Sequence, residues 1–239
     1  MKPTPVEAPL ARMTLLVLTT LGLCTAVQAG LPLQTEDAGL LGRGHCEAEL
    51  ANLSVRDDGS SARETGLALD CGVTKGSQIG LGWATVHAGS EGGDIVSLGG
   101  KTGLWQHDEA ALALTWRLGW ERESGQGWQH TGYELNLVHS APLAGGLTLH
   151  ANLLHASDRL ADERSTGWAL ALEHEGGGLG GVQVAPMAEV FGDDRGAPWW
   201  NAAVRFTLVP DLWFVGLSYG RQVDSGRARL ATASVKLAF

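Results

Sequence analysis

The sequence predicts an all-β protein: a transmembrane antiparallel up-and-down β-barrel of about twelve strands, with both termini on the periplasmic side. Two observations predict this fold. From about residue 44 to the C-terminus, apolar residues recur at every second position within segments of roughly 9 to 13 residues, which is the period of a strand with one wet face. Beyond residue 29 no apolar stretch approaches the length of about 18 residues that a membrane-crossing helix needs.

The N-terminus has the pattern of a secretory leader. Lys2 and Arg12 precede an apolar run over residues 13–26, and Val27-Gln28-Ala29 then supplies a small-x-small cleavage motif. We therefore expect the mature protein to reach the cell outer membrane. The predicted organisation has three parts: a signal peptide at 1–29, an N-terminal periplasmic segment at 30–43, and the β-barrel at 44–239.

Composition is consistent with a barrel and excludes several functions. The chain contains 34 Gly and nine Trp, and 18% of its residues are charged, a mixture in which an apolar outer face and a polar lumen average out. A net charge of −9 without any Lys/Arg run argues against a nucleic-acid partner. The sequence holds no GxSxG, HExxH or Cys/His metal spacing, so we assign no catalytic residue, cofactor or metal and predict a protein that is not an enzyme.

The strands are predicted from alternation. In the last one, Phe239, Leu237 and Val235 share one face, whereas Lys236 and Ser234 share the other. The predicted strands lie near 44–55, 65–74, 77–88, 94–105, 112–120, 128–140, 146–156, 166–175, 181–191, 200–208, 213–220 and 231–239.

The links between these strands alternate in charge. Charged links such as 56–64 and 157–165 fall at odd positions in the order, and shorter turns fall between them. Bacterial barrels alternate long extracellular loops with short periplasmic turns in this way. The alternation predicts an even strand number and periplasmic termini.

Aromatic residues near strand ends predict interfacial girdles facing membrane lipid. The girdle candidates are Trp116, Trp120, Trp168, Trp200, Trp213 and Tyr219. The terminal Phe239 resembles the signal that the outer-membrane assembly machinery recognises. We therefore expect outer-membrane lipid and this machinery as partners.

Two cysteines remain after the predicted leader is removed. Cys46 lies early in the first strand and Cys71 late in the second, and their midpoint falls in the intervening hairpin. Directly opposed antiparallel residues can form a disulfide, which an oxidising compartment favours. The alternative is two small half-buried thiols.

Polar residues on the inward faces define a candidate solute path. The main candidates are Lys101, Arg117, Glu134, His150, Glu173, Glu189, Arg205 and Lys236, and Asp70, Asn136 and Asn152 share the same faces. Charges in a narrow interior must be paired or hydrated. These residues therefore either bridge one another and partly fill the barrel, or line a water-filled passage for a small-molecule solute.

The stretch Leu31 to Leu50 resembles the start of an outer-membrane family associated with a MetA-type pathway of phenol degradation. The matching positions are Pro32, Thr35, Glu36, Asp37, Ala38, Gly39, Gly44, Glu47 and Glu49. The resemblance covers about 20 residues, and Cys46 departs from the pattern. It implies a transporter-like barrel for aromatic or other small hydrophobic compounds. The Thr35 to Gly39 turn either enters the barrel mouth as a plug or serves as a linker.

The leading functional hypothesis is an outer-membrane channel or transporter for small solutes, including aromatic or hydrophobic ones. One alternative is a structural or adhesive barrel without transport, and another is a lipid-acting hydrolase. His139 and Ser140 are adjacent but face opposite sides of their strand, which disfavours a catalytic dyad. A soluble periplasmic β-sandwich or lipocalin-like barrel, with its apolar face inward, is the alternative fold.

Overall fold

A computed structural model describes residues 32–57, 59–224 and 228–239, so the predicted leader at 1–29 lies outside the described residues. The described chain is all-β, and none of it forms a helix long and apolar enough to cross a membrane. Twelve long strands carry the fold: β1 Cys46–Asp57, β2 Ser60–Thr74, β3 Ser77–Ala88, β4 Glu91–His107, β5 Ala110–Glu123, β6 Gln129–Leu143, β7 Leu147–Asp158, β8 Glu163–His174, β10 Val182–Asp193, β11 Trp199–Val209, β12 Trp213–Gln222 and β13 Arg229–Ala238. A three-residue strand, β9 Gly177–Leu179, lies between β8 and β10.

The strands close into a barrel. Each long strand pairs antiparallel with its neighbours, β1 pairs with β13, and β10 pairs with both β8 and β11. The short β9 pairs with the start of β10 and continues the position of β8 in the wall, so the barrel has twelve positions. The predicted all-β, antiparallel barrel of about twelve strands is confirmed. Closure satisfies the main-chain groups of every wall strand, which a sheet needs if lipid surrounds it.

The outer surface of the barrel is apolar. Leu50 lies opposite Leu67, which lies opposite Trp83, and all three are about half exposed. Glu49 and Ala51, which flank Leu50 in the sequence, are buried, because alternate side chains point to the interior. Exposed leucines in register on neighbouring strands form a surface that suits lipid better than water.

The strands are longer than the alternation predicted. The charged link expected over residues 56–64 is a tight hairpin, since β1 ends at Asp57 and β2 begins at Ser60. The link expected over 157–165 likewise shrinks to four residues between Asp158 and Glu163. These links are shorter than predicted because strand pairing continues through polar residues, where the apolar alternation that marks a strand in the sequence is absent.

The first residues of β1 and the last residues of β13 meet at one end of the barrel, which we call the terminus end. We call the opposite end, where the β1–β2 hairpin lies, the hairpin end. At the terminus end Cys46 and Cys71 lie directly opposite, with Cα atoms 4.1 Å apart, and their sulfurs are bonded. Phe239 continues the pairing of β13, because its N–H donates to the Cys46 carbonyl at 2.8 Å. The disulfide and the closing seam are therefore neighbours.

Candidate functional site in the barrel interior

The N-terminal segment, residues 32–43, lies inside the barrel. Its residues Pro32, Leu33, Thr35 and Ala38 are almost fully buried. Leu33 packs on Ala171, Ala185 and Met187 of β8 and β10, and Ala38 packs on Ala113 and Val138 of β5 and β6. The segment therefore runs through the interior and contacts separate parts of the wall.

Glu189 of β10 is the main anchor for the segment. Its carboxylate accepts hydrogen bonds from the Gln34 N–H at 2.9 Å, the Thr35 N–H at 2.8 Å and the Thr35 hydroxyl at 2.7 Å. Asn201 of β11 donates at 2.7 Å to Oε1, the oxygen that also accepts the Gln34 N–H, whereas Thr35 donates to Oε2; Asn201 therefore orients the carboxylate. Hydrogen bonds to a carboxylate are stronger than those between neutral groups.

Two further wall residues bind the main chain near the middle of the segment. Asn152 accepts the Glu36 N–H at 2.7 Å and donates its amide to the Glu36 carbonyl at 2.9 Å, so it satisfies both main-chain groups of one residue. Ser140 accepts the Ala38 N–H at 2.8 Å. Because all these groups are buried, their mutual hydrogen bonds replace the water that they would otherwise need.

The remaining contacts hold the part of the segment nearer β1. Lys101 Nζ donates to the Asp37 carbonyl at 2.9 Å, and Gln78 accepts the Leu41 N–H at 3.0 Å. Lys101 is fully buried. A buried ammonium needs hydrogen-bond acceptors and opposite charge, and the segment supplies a carbonyl.

Two wall glycines make room for the segment. A Cβ atom on Gly72 would lie 2.2 Å from the Gly42 carbonyl oxygen, and one on Gly216 would lie 2.8 Å from Pro32 Cδ. Both positions therefore accept only glycine while the segment is seated as described. The wall is shaped for the segment at both of its ends.

Other predicted lumen residues pair with one another. Arg117 lies opposite Glu134 on β5 and β6, with 3.7 Å between Nη1 and Oε1. Lys236 Nζ lies 3.3 Å from Glu47 Oε2 across β13 and β1. These pairs fix strand neighbours and balance buried charge.

A polar chain runs across β6, β7, β8 and β11. Ser140 Oγ lies 2.8 Å from His150 Nδ1, His150 Nε2 lies 3.6 Å from Glu173 Oε2, and Glu173 pairs with Arg205. The Ser140 hydroxyl hydrogen can point to His150, since the Ala38 N–H occupies its acceptor side. The expected separation of His139 from Ser140 is also observed, because Ser140 is buried and the His139 ring lies against the Ala111 carbonyl of the neighbouring strand.

The acidic side chains of the segment face cationic wall residues. Burial raises the pKa of the Glu36 carboxyl, and the charges of Lys101 and Arg117 offset part of that rise. Burial also acts to raise the pKa of Asp37, but Lys101 and Lys236 together hold that pKa below its ordinary value. Asp37 therefore adds a negative charge where the wall is locally positive.

One side of the interior at the hairpin end is apolar, whereas buried Glu64, Thr131 and Asp158 lie at the same end on β2, β6 and β7. Phe191 and Trp199 stack with ring centroids 6.3 Å apart, and Leu53, Val55 and Leu230 pack in the same buried cluster. We call these five residues the apolar layer. An inward-facing aromatic pair is unusual for a water-filled lumen, which is polar.

The predicted girdle residues lie on the outer face. Trp168, Trp200, Trp213 and Tyr219 are exposed, and Trp116 and Trp120 are partly covered. Trp200 and Tyr219 are neighbours at the hairpin end, with ring centroids 6.4 Å apart, and Trp213 begins β12 at the terminus end. Trp116 lies midway along β5.

Sequence reasoning missed several residues of the site: Gln78, Ser140, Phe191, Trp199 and Asn201. Trp199 precedes the predicted strand that begins at residue 200 and therefore belongs to no predicted strand. Buried, uncharged Ser140 and Gln78 resemble ordinary wall residues until the segment that they bind is placed. Alternation carried through the polar strand ends would have identified Trp199 as inward, opposite outward Trp200.

Comparisons with known proteins agree on the architecture. No protein-family model and no curated protein matches the sequence. Among solved structures, the chain is similar to the COG4313 outer membrane channel from Pseudomonas putida F1, with a TM-score of 0.58 and 11% identity over 89% of this chain and 100% of that one. It is also similar to the NanC porin (TM-score 0.55, 14% identity, 79% and 98% covered) and the KdgM porin (0.52, 12%, 80% and 99%).

At these identities the likeness establishes an outer-membrane-type barrel fold. The match to the MetA-type family rests on the N-terminal resemblance alone, so that family stays a prediction.

Proposed function

We propose that this chain is an outer-membrane channel for small solutes, closed in the described conformation by its N-terminal segment. The observation that carries this proposal is that the obstruction is not part of the wall. Side chains on six strands, β3, β4, β6, β7, β10 and β11, hold or orient a separate stretch of chain inside an otherwise complete barrel. Such a stretch can leave while the wall stays closed.

The surroundings proposed for the barrel follow from its outer surface. The apolar outer face makes membrane lipid the favourable environment, and the girdle aromatics suit both interfaces. We place the terminus end on the periplasmic side because most of its turns are short: two residues join β2 to β3 and β4 to β5, and three join β6 to β7 and β11 to β12. The C-terminal Phe239, which is 60% exposed, is available to the outer-membrane assembly machinery.

The interior of the described conformation is filled. Lys101, Arg117, Glu134, Glu189 and Asn201 are each at most 4% exposed, so bulk water does not reach these lumen side chains. A conducting state therefore requires the segment to move. In a planar bilayer we expect discrete conductance steps with low open probability for the native chain and a higher open probability for Glu189→Gln. A correctly folded barrel that is electrically silent in both forms would favour a structural role instead.

The solute class proposed is small aromatic or hydrophobic compounds, because the apolar layer lines the route at the hairpin end. Benzoate, added on the side of that layer, should block the current more strongly than acetate does. Trp199→Ala should weaken the benzoate block about three- to tenfold, the worth of one aromatic contact. Trp200→Ala, on the outer face, is the matched control. Equal effects of the two substitutions would remove the layer from the solute path.

Ion selectivity should follow the accessible lumen charges. The Arg205 side chain is 27% exposed, whereas that of Arg117 is 4% exposed and faces Glu134. Arg205→Glu should therefore shift the reversal potential toward cations in a salt gradient. An unchanged reversal potential would take Arg205 out of the ion path.

A further inference from the structure

The wall binds the N-terminal segment mainly through its main chain. Five N–H groups, those of Gln34, Thr35, Glu36, Ala38 and Leu41, donate to wall side chains. The carbonyls of Glu36 and Asp37 accept from wall side chains. Every residue except proline offers these same groups, so this set of contacts does not depend on the side chains of the segment.

Three of the five wall groups that make these contacts are held by other wall residues. Asn201 orients Glu189, His150 lies against Ser140, and the Asn136 amide donates to Asn152 at 3.3 Å. Each therefore keeps its direction when the segment is absent, which reduces the entropy lost on binding.

The contacts follow one continuous stretch of chain. They run from residue 34 to residue 41: the chain bends over residues 33–35, where two consecutive N–H groups reach Glu189, and it has no regular secondary structure from residue 36 to residue 41. Asn152 pairs with both main-chain groups of one residue, in the manner of a neighbouring strand. Without the segment, Glu189, Asn152 and Lys101 would lose main-chain partners that the buried interior otherwise lacks. A vacated site therefore favours a ligand that replaces both N–H donors and carbonyl acceptors in order.

We propose that the lumen wall formed by Gln78, Lys101, Ser140, Asn152 and Glu189 is a binding site for a peptide main chain. The N-terminal segment occupies this site in cis, and once displaced it leaves a site that takes peptides of unrelated sequence in trans. This inference goes beyond solute passage, and its test does not use conductance, so either proposal can fail alone.

The test uses the full chain in detergent. Substitutions in the N-terminal segment weaken its binding to the wall, and the wall residues are left unchanged. Thr35→Pro with Ala38→Pro removes the N–H groups that donate to Glu189 and Ser140. Thr35→Ala with Ala38→Gly keeps both N–H groups and is the matched control. The probes are a fluorescent peptide with the sequence of residues 32–43, a scrambled version with its proline kept first, and a version N-methylated at the equivalents of residues 35, 36 and 38.

Fluorescence anisotropy measures binding of each probe. We expect the double-proline chain to bind the parent and scrambled peptides within about threefold of each other, because the wall reads main-chain groups. The N-methylated peptide should bind at least about tenfold more weakly, since it lacks three donors. The native chain and the control should also bind at least about tenfold more weakly than the double-proline chain, because the segment competes at high effective concentration.

Two results would overturn the proposal. If the parent peptide binds and the scrambled peptide does not, the wall recognises the side chains of the segment, and the segment is a dedicated plug. No binding to a double-proline chain that still shows β circular dichroism and heat-modifiable gel mobility would mean that the vacated wall has no peptide affinity. If the double variant fails to fold, Ala38→Pro alone removes one donor and must give the same ranking of probes.

Discussion

Substituting Glu189 by Gln tests how firmly the wall holds the N-terminal segment. The carboxylate accepts from two N–H groups and one hydroxyl of the segment. Glutamine keeps one acceptor oxygen and loses the charge. If each hydrogen bond weakens by about 1 kcal/mol, the change is about 3 kcal/mol, or roughly a hundredfold in the fraction of molecules with a released segment.

Thiol labelling measures this fraction. Ala38 is 3% exposed, so a cysteine placed there reacts only after the segment leaves. Cys46 and Cys71 are bonded to each other, and Cys24 belongs to the predicted leader, so the introduced thiol is the sole target. When release is rapid and labelling is slow, the observed rate is proportional to the released fraction. Ala38→Cys with Glu189→Gln should therefore label about a hundredfold faster than Ala38→Cys alone.

The matched control removes another buried carboxylate. Glu47 pairs with Lys236 on the wall, so Glu47→Gln disturbs interior charge without removing the acceptor of Gln34 and Thr35. Equal labelling rates in the Glu189→Gln and Glu47→Gln backgrounds would refute the anchoring role. Rapid labelling of Ala38→Cys by itself would show that the segment is not seated in solution.

Three other outcomes are expected. Gly72→Ala should raise the labelling rate, because its Cβ would press on a segment carbonyl, whereas Gly76→Ala has open space and should not; similar rates would contradict the close fit. Replacing Cys46 and Cys71 by Ala frees a loop with a sequence separation of 25, so the urea midpoint should fall by an amount equivalent to about 3 kcal/mol, and an unchanged midpoint would argue against this effect. A fluorophosphonate should leave Ser140 of the native chain unmodified, because the segment covers its hydroxyl, and labelling there would point to hydrolase chemistry.

The fold could be predicted because its alternation is a property of each strand alone. Leu50 and Glu49 already show in the sequence which face points outward and which points into the lumen. The strand ends were placed too early, because polar residues such as Arg56 and Asp57 continue the pairing without the apolar signal. The closing partner of β1 followed from barrel closure, which leaves no unpaired edge.

The site was harder to predict because it depends on which residues of different strands lie at the same height in the lumen. Register between strands is not visible in one sequence, so Arg117 and Glu134 were both assigned to the lumen without being paired. The segment was left as either a plug or a linker, since its turn residues fit both. Its anchors Glu189 and Asn152 lie more than a hundred residues away in the chain, and only closure of the barrel brings them to it.

The polar and apolar parts of the interior impose different requirements on a solute. On one side of the hairpin end, Trp199 and Phe191 present a stacked apolar surface, which cannot replace the hydration of an ion. Deeper in the barrel, Glu189 and Lys101 carry charges whose partners include groups of the segment itself. When the segment leaves, those charges must regain partners from water or from the solute. In the proposed channel, release of the segment therefore exposes the charged part of the interior to water. A solute with an apolar ring and a polar tip would match the apolar layer with its ring and the charged part with its tip.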